Sequence, residues 1–190
     1  HVPVNSFWDL GSNDGTGVWL HQHVAPWHTF LAYIEGWGES LAYFVRRMQE
    51  WAGDQGGVLW GRHFLPHDGE AERQMGTRVA RPIDEFREIA PGWNFQIVPR
   101  VQEFGQGINR VRARFSVARF DEVGCKEGLA HLTLYSRRWN DKVGGWMDGP
   151  VKDVHTEAAD AFRQWAQGWE DPTVTAGTRP KRSAVARRMP

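Results

Sequence analysis

Three apolar, extended runs crowd into the first 36 residues, and the short links between them leave little choice of topology. "VPVNSFWDLG", "TGVWLHQHV" and "HTFLAYIEG" are rich in strand-favouring residues, with Gly11 punctuating the first turn and a short Pro26-containing link before the third. Parallel neighbours need a long crossover, so these links predict a three-stranded antiparallel start. The pattern then changes. In "ESLAYFVRRMQEWAG", Leu41, Phe44, Val45, Met48 and Trp51 follow the i, i+3, i+4 rule of an amphipathic helix that Gly53 ends. "GVLWGRHFLPHD" reads as a strand stopped by Pro66, "GEAERQM" as helix-prone, "RPIDEFREIA" as a helix and "NFQIVP" as a strand. Strand, helix, strand implies right-handed crossovers and a parallel section of sheet. The rest, "GINRVRARFSVARF", "CKEGLAHLTLYSRRW" and "HTEAADAFRQWAQGW", reads as mainly helical. The expectation is an α/β fold with a central mixed five-stranded sheet, antiparallel over its first three strands and then parallel, flanked by helices.

A chain of 190 residues supports one substantial core and not two comfortable ones, so one domain with a tail is expected. The domain spans residues 1–170. Residues 171–190 hold five basic residues against Asp171 alone, with too little apolar content to fold, and read as a basic, disordered tail. No run of about eighteen apolar residues exists to cross a bilayer, so no membrane partner is expected. The single cysteine, Cys125, excludes an internal disulfide framework, argues for a reducing, intracellular setting and receives no chemical role. His1 stands where a complete chain would have Met, which suggests a piece of something longer. A Gly-x-x-x-x-Gly-Lys-Ser/Thr phosphate cradle is missing, so ATP hydrolysis by this chain alone is not expected.

Carboxylates at element ends carry the chemistry. Asp9 closes the first strand, and Asp68 follows the strand that should be the first parallel one, where open sheets form their ligand crevice. If these strands are neighbours, the two acids repel unless a proton or a cation neutralises them. Asp160, on the polar ridge that it forms with Glu157 and Gln164 opposite the stripe Ala158, Phe162, Trp165 and Trp169, would complete an oxygen-lined cluster. Such a cluster suits Mg2+ or Mn2+, and two ions about 4 Å apart would activate a water and stabilise a leaving oxygen in phosphodiester hydrolysis. Each acid also has a plainer reading: Asp9 as a turn residue in "DLGSNDG", Asp68 as a helix N-cap, Asp160 as a solvated ridge.

Six stretches in order, "FWDLGSNDGTGVW", "YIEGWGESLAYFV", "LPHDGEAER", "FGQGINRVRARF", "GLAHLTLYSRRW" and "GPVKDVHTEAADAFR", resemble the nuclease domain of the large terminase subunit of tailed bacteriophages. The resemblance implies a ribonuclease-H-like fold and two-metal cleavage of double-stranded viral DNA during genome packaging, in the host cytoplasm. It makes Asp9, Asp68 and Asp160 the metal-binding acids, with Asp14 and Asp153 as further candidates. It also implies an upstream ATPase domain, the portal and the small terminase subunit as partners. One departure stands out. Where that family has Ser-His before "AADAFR", this chain has Thr156 and Glu157, with His155 displaced by two positions, so Glu157 becomes a candidate fourth ligand one turn before Asp160.

Other features compete. Arg110, Arg112, Arg114 and Arg119 lie in or near one helical segment and can track DNA phosphates, or form a solvated face. His21 and His23 share a strand face but lack a third soft ligand nearby. The eleven tryptophans are mostly core, with a few available for stacking. A non-catalytic module docking on DNA or the portal is the alternative function. A carbohydrate-active enzyme, suggested by the tryptophans and paired acids, is a third.

Overall fold

The computed structural model describes residues 1–11, 15–75, 78–101 and 103–170, so Asp14 and the basic tail lie outside the described residues. β1 (Val4–Asp9), β2 (Gly15–Val24) and β3 (Trp27–Trp37) form the expected antiparallel meander. Helix α1 (Leu41–Asp54) starts at Ser40, whose hydroxyl accepts the Tyr43 N–H, and carries the chain to β4 (Trp60–Leu65), parallel to β1. A single 3-10 turn, His67–Glu70, precedes two three-residue strands, β5 (Arg73–Met75) and β6 (Arg78–Ala80), paired antiparallel. Helix α2 (Pro82–Ile89) then leads to β7 (Asn94–Ile97), parallel to β4. The chain continues through α3 (Phe104–Arg114), β8 (Ala118–Phe120), α4 (Lys126–Leu134), β9 (Arg137–Asn140), β10 (Gly145–Pro150) and α5 (Thr156–Gly168).

The main sheet has six strands in the order β7-β4-β1-β2-β3-β8, one more than expected. The extra strand, β8, comes from a stretch whose composition reads as helix. Its three residues pair with His28, Thr29 and Phe30 of β3, a long-range contact that local periodicity does not encode. "GEAERQM" forms no α-helix, because its only apolar residues, Ala71 and Met75, give it no stripe to bury; Ala71 is extended and ends the 3-10 turn. In "CKEGLAHLTLYSRRW" the helix stops at Leu134, and the remainder joins a β9–β10 hairpin in which Trp139 and Trp146 meet edge to face, 5.1 Å between centroids.

Strand alternation divides the core into two layers. Trp8 faces the side packed by Phe44, Met48, Ile83 and Phe86 from α1 and α2. Phe7, its neighbour, faces the opposite side with Trp19, Phe30, Phe162 and Trp165, where α5 lies. The apolar stripe of α5 is buried as expected. Two residues of its polar ridge are buried as well, Glu157 8% and Gln164 7% exposed, because α5 is covered by the sheet on one side and α3 and α4 on the others, while Asp160 faces a cavity. Phe162 stands 4.8 Å from Phe30 and 4.9 Å from Trp165, ring to ring. Phe162→Ala is expected to cost about 3–5 kcal/mol, read as a lower urea midpoint with unchanged m-value.

Candidate active site

The parallel contact of β1 with β4 decides where the first two acids meet. Asp9 is the last residue of β1, and Asp68 sits in the 3-10 turn that follows β4. Two residues beyond Phe7, Asp9 points to the α5 side of the sheet. There it meets the helix that carries Asp160. All three acids line one cavity of about 430 Å³, walled by Pro66, Val98 and Pro99 and rimmed by Arg100, Lys152 and Arg163. A neighbouring cleft shares Pro99, Arg100 and Glu103 with this cavity and runs out to Arg110. Acids gathered at one sheet edge suit a shared cation; two acids flanking a sugar cleft would need no such gathering.

Glycines in β2 let α5 come this close. Asp9 pairs across the sheet with Gly17, and Gly17 with Glu35, so the three form one row. A Cβ on Gly17 would lie 3.1 Å from the Glu157 carbonyl oxygen and 2.7 Å from Tyr33 Oη; one on Gly15 would lie 3.1 Å from Glu157 Cγ. Without those atoms, the first turn of α5 rests on the sheet and brings Glu157 into hydrogen-bond contact with Asp9. Trp19 Nε1 pins the same turn by donating to the Ala158 carbonyl at 2.9 Å.

The electrostatics follow from this crowding. Burial, then the charge of Asp160, then the hydrogen bond and charge of Glu157 and the charge of Asp68, hold the Asp9 carboxyl well above the usual carboxylate range. Burial also raises Asp160, against the opposing pull of Arg163 and Lys152. Asp160 Oδ1 lies 3.1 Å from Arg163 Nη2, one turn on, with the two side chains 21% and 17% exposed. A hydrogen bond between two carboxyls requires a proton between them, so the Asp9–Glu157 contact is that of an acid pair not fully ionised. Crowded oxygen donors fit a hard divalent cation. Among the described residues, no three His, Cys, Asp or Glu side chains are already arranged to hold an ion. Asp9 is engaged by Glu157 and Asp160 by Arg163.

The other candidates are placed as follows. Glu157 is buried behind Asp9 and does not line the cavity. Asp153 is exposed; its Oδ1 accepts the His155 N–H at 2.9 Å, shaping the turn that starts α5. His155 Nδ1 lies 2.8 Å from His131 Nδ1, and His131 Nε2 lies 3.1 Å from Glu35, so His155 turns toward α4 while Glu157 holds the place beside Asp9. The four arginines do not share one face. Arg110 reaches the cleft, Arg112 lines a separate apolar cavity between α3 and α4, Arg114 donates to the Trp169 carbonyl at 2.9 Å, and Arg119 lies over the Trp27 ring on β8. His21 is buried against His28, 3.0 Å away, and both His21 and His23 pack on Trp169. Burial lifts the Cys125 thiol to about 12, in keeping with an inert core residue. Sequence reasoning missed Arg100, Lys152 and Arg163. Only Arg163 left a readable signal, its i, i+3 spacing from Asp160.

No protein-family model and no curated protein matches the chain. Solved structures do. The large terminase of a thermophilic bacteriophage aligns over 88% of this chain and 40% of its own, with 15% identity and a TM-score of 0.62. The P22 large terminase nuclease domain aligns over 88% and 81%, with 16% identity and a TM-score of 0.61. The nuclease domain of the bacteriophage SPP1 large terminase, solved with bound Mn, aligns over 85% and 84%, with 12% identity and a TM-score of 0.55. The chain thus spans about two fifths of the thermophilic phage's terminase and most of the isolated nuclease domains. A mixed sheet with two central parallel strands, helices on both faces and the closing helix beside the strand ends is the ribonuclease-H-like fold of large-terminase nuclease domains, and this chain has that fold.

Proposed function

We infer that this chain is a divalent-metal-dependent endonuclease domain of a large terminase subunit, cutting double-stranded viral DNA during genome packaging. The observation that carries the reading is the meeting of Asp9, Asp68 and Asp160 at one cavity in this fold. The bound Mn of the SPP1 nuclease domain supports a divalent cofactor. Two ions, Mg2+ or Mn2+, would supply Lewis acidity at the scissile phosphate and a lowered pKa for the attacking water. Asp9, Asp68 and Asp160 would hold them. Arg100 and Lys152 at the rim offset phosphate charge, and the cleft toward Arg110 gives the DNA backbone a continuation of that rim. Backbone contacts carry no base information, so cleavage is expected to show little sequence preference. In the whole motor, an upstream ATPase domain drives the DNA, the portal and small terminase subunit are partners, and the site of action is the host cytoplasm.

A non-catalytic module that docks on DNA or the portal is the second reading. It is favoured by one observation, the absence among the described residues of three acids ready to hold an ion. Incubation with supercoiled plasmid decides between them. With Mn2+ the chain is expected to nick and linearise the plasmid, EDTA to stop it, and Asp68→Ala to lower the rate at least about 100-fold. Undiminished DNA binding without cleavage under any divalent ion would establish the docking module instead.

A further inference from the structure

We propose that Arg163 is a resident counter-ion of the site: it holds Asp160 while no divalent ion is bound, and turns to a DNA phosphate when the ion takes Asp160. The first half stands on geometry alone; the second rests on the nuclease reading.

Arg163 lines the same cavity as Asp9, Asp68 and Asp160. Its Nη2 lies 3.1 Å from Asp160 Oδ1, in a pair with little solvent to weaken it. One guanidinium fork fits a carboxylate and a phosphate equally well. A divalent cation arriving among Asp9, Asp68 and Asp160 both competes for the Asp160 oxygen and repels the arginine. The site therefore carries its own competitor for the ion. Space for the exchange comes from α3. A Cβ on Gly107 would lie 2.6 Å from Arg163 Cδ and 2.5 Å from Gln167 Nε2, so the missing side chain at Gly107 leaves the arginine stem a bed across α3. Both of those atoms belong to flexible side chains, so Gly107→Ala is expected to fold and to dislodge Arg163.

Mn2+ titration of the DNA-free chain, followed by electron paramagnetic resonance of the free ion, reads the first half without any activity. Arg163→Gln is expected to bind Mn2+ about fivefold tighter than wild type, with Arg163→Lys in between. Gly107→Ala should shift affinity in the same direction as Arg163→Gln. Affinity unchanged or weakened in Arg163→Gln would overturn the proposal, as would a wild-type chain that binds no Mn2+. Plasmid cleavage at saturating Mn2+ reads the second half: kcat in Arg163→Gln should fall about 100-fold, with partial recovery in Arg163→Lys. A wild-type rate in Arg163→Gln would overturn the transfer to phosphate. If the wild type binds Mn2+ but cuts nothing, the nuclease reading fails while the Mn2+ series still decides whether Arg163 competes with the ion.

Discussion

Asp9→Asn is expected to make the metal-free protein more stable by about 1–2 kcal/mol while abolishing cleavage. Asp9 is crowded by Asp160, Glu157 and Asp68 and shielded from water by α5, so its ionised form is disfavoured in the folded chain. Asparagine keeps the size and can donate to Glu157, but carries no charge. The sign is set by linkage: a carboxyl whose folded pKa is raised adds stability below the ordinary carboxylate range and loses it as pH rises through the folded value. The advantage of Asp9→Asn should therefore grow as pH rises above the ordinary carboxylate range. Divalent ions should reverse the order, raising the melting temperature of the wild type and leaving that of Asp9→Asn nearly unchanged, because binding to the native state stabilises it by mass action. Urea melts with and without Mn2+ measure both. A metal-free Asp9→Asn protein no more stable than wild type would show that the acids are not under strain.

The second large effect is acid sensitivity from two histidines outside the proposed chemistry. His63 and His21 are both fully buried. Burial lowers His63 to about 3, and burial together with His28, His23 and Arg62 lowers His21 well below its usual value. Each stays neutral in the folded chain, while the unfolded chain takes up protons below about pH 6.5. Stability is thus full above that pH and falls toward the folded values at about 1.4 kcal/mol per pH unit for each histidine. Between pH 6.5 and 5 His63 should remove on the order of 1.5 kcal/mol, and His21 acts in the same direction. Asp9 and Asp160 oppose the trend by taking up protons in the native state, so the measurement belongs in an Asp9→Asn, Asp160→Asn background. His63→Phe should then lower the slope of stability against pH by up to about 1.4 kcal/mol per pH unit. A slope unaffected by that substitution would place the acid sensitivity elsewhere. The neutral state of His63 is built in: the Ser6 hydroxyl, itself receiving the Trp8 Nε1 hydrogen bond at 2.6 Å, lies 2.7 Å from His63 Nδ1, and the ring stacks on Trp93 at 4.3 Å.

The meander and the two parallel strands were legible because each is a run of strand-forming residues with connections whose length dictates direction. Asp9 at the end of the first strand and Asp68 just after the fourth followed from the same pattern; that the two strands are neighbours came from the structure. Alternation along β1 also carried more than end position, since it put Asp9 on the Phe7 side and hence under α5. Short elements were misread for one physical reason. β8 and β9 are three and four residues long, too short for a period to declare itself, and each exists through its partner strand. Of the four arginines read as lying in or near one helical segment, Arg119 stands apart because α3 ends at Arg114.

Sequence by itself determined the opening meander, helix α1, the β4–α2–β7 crossover and the apolar face of α5, since hydrophobic period and turn chemistry are local properties of the chain. Tertiary structure alone decided which way the polar ridge of α5 points, that Glu157 and not His155 stands beside Asp9, and that Arg163 occupies Asp160. A helix face is polar in sequence whether it meets water or a buried charge. Only the approach of α5 onto Gly15 and Gly17, a contact between residues some 140 positions apart, selects between them.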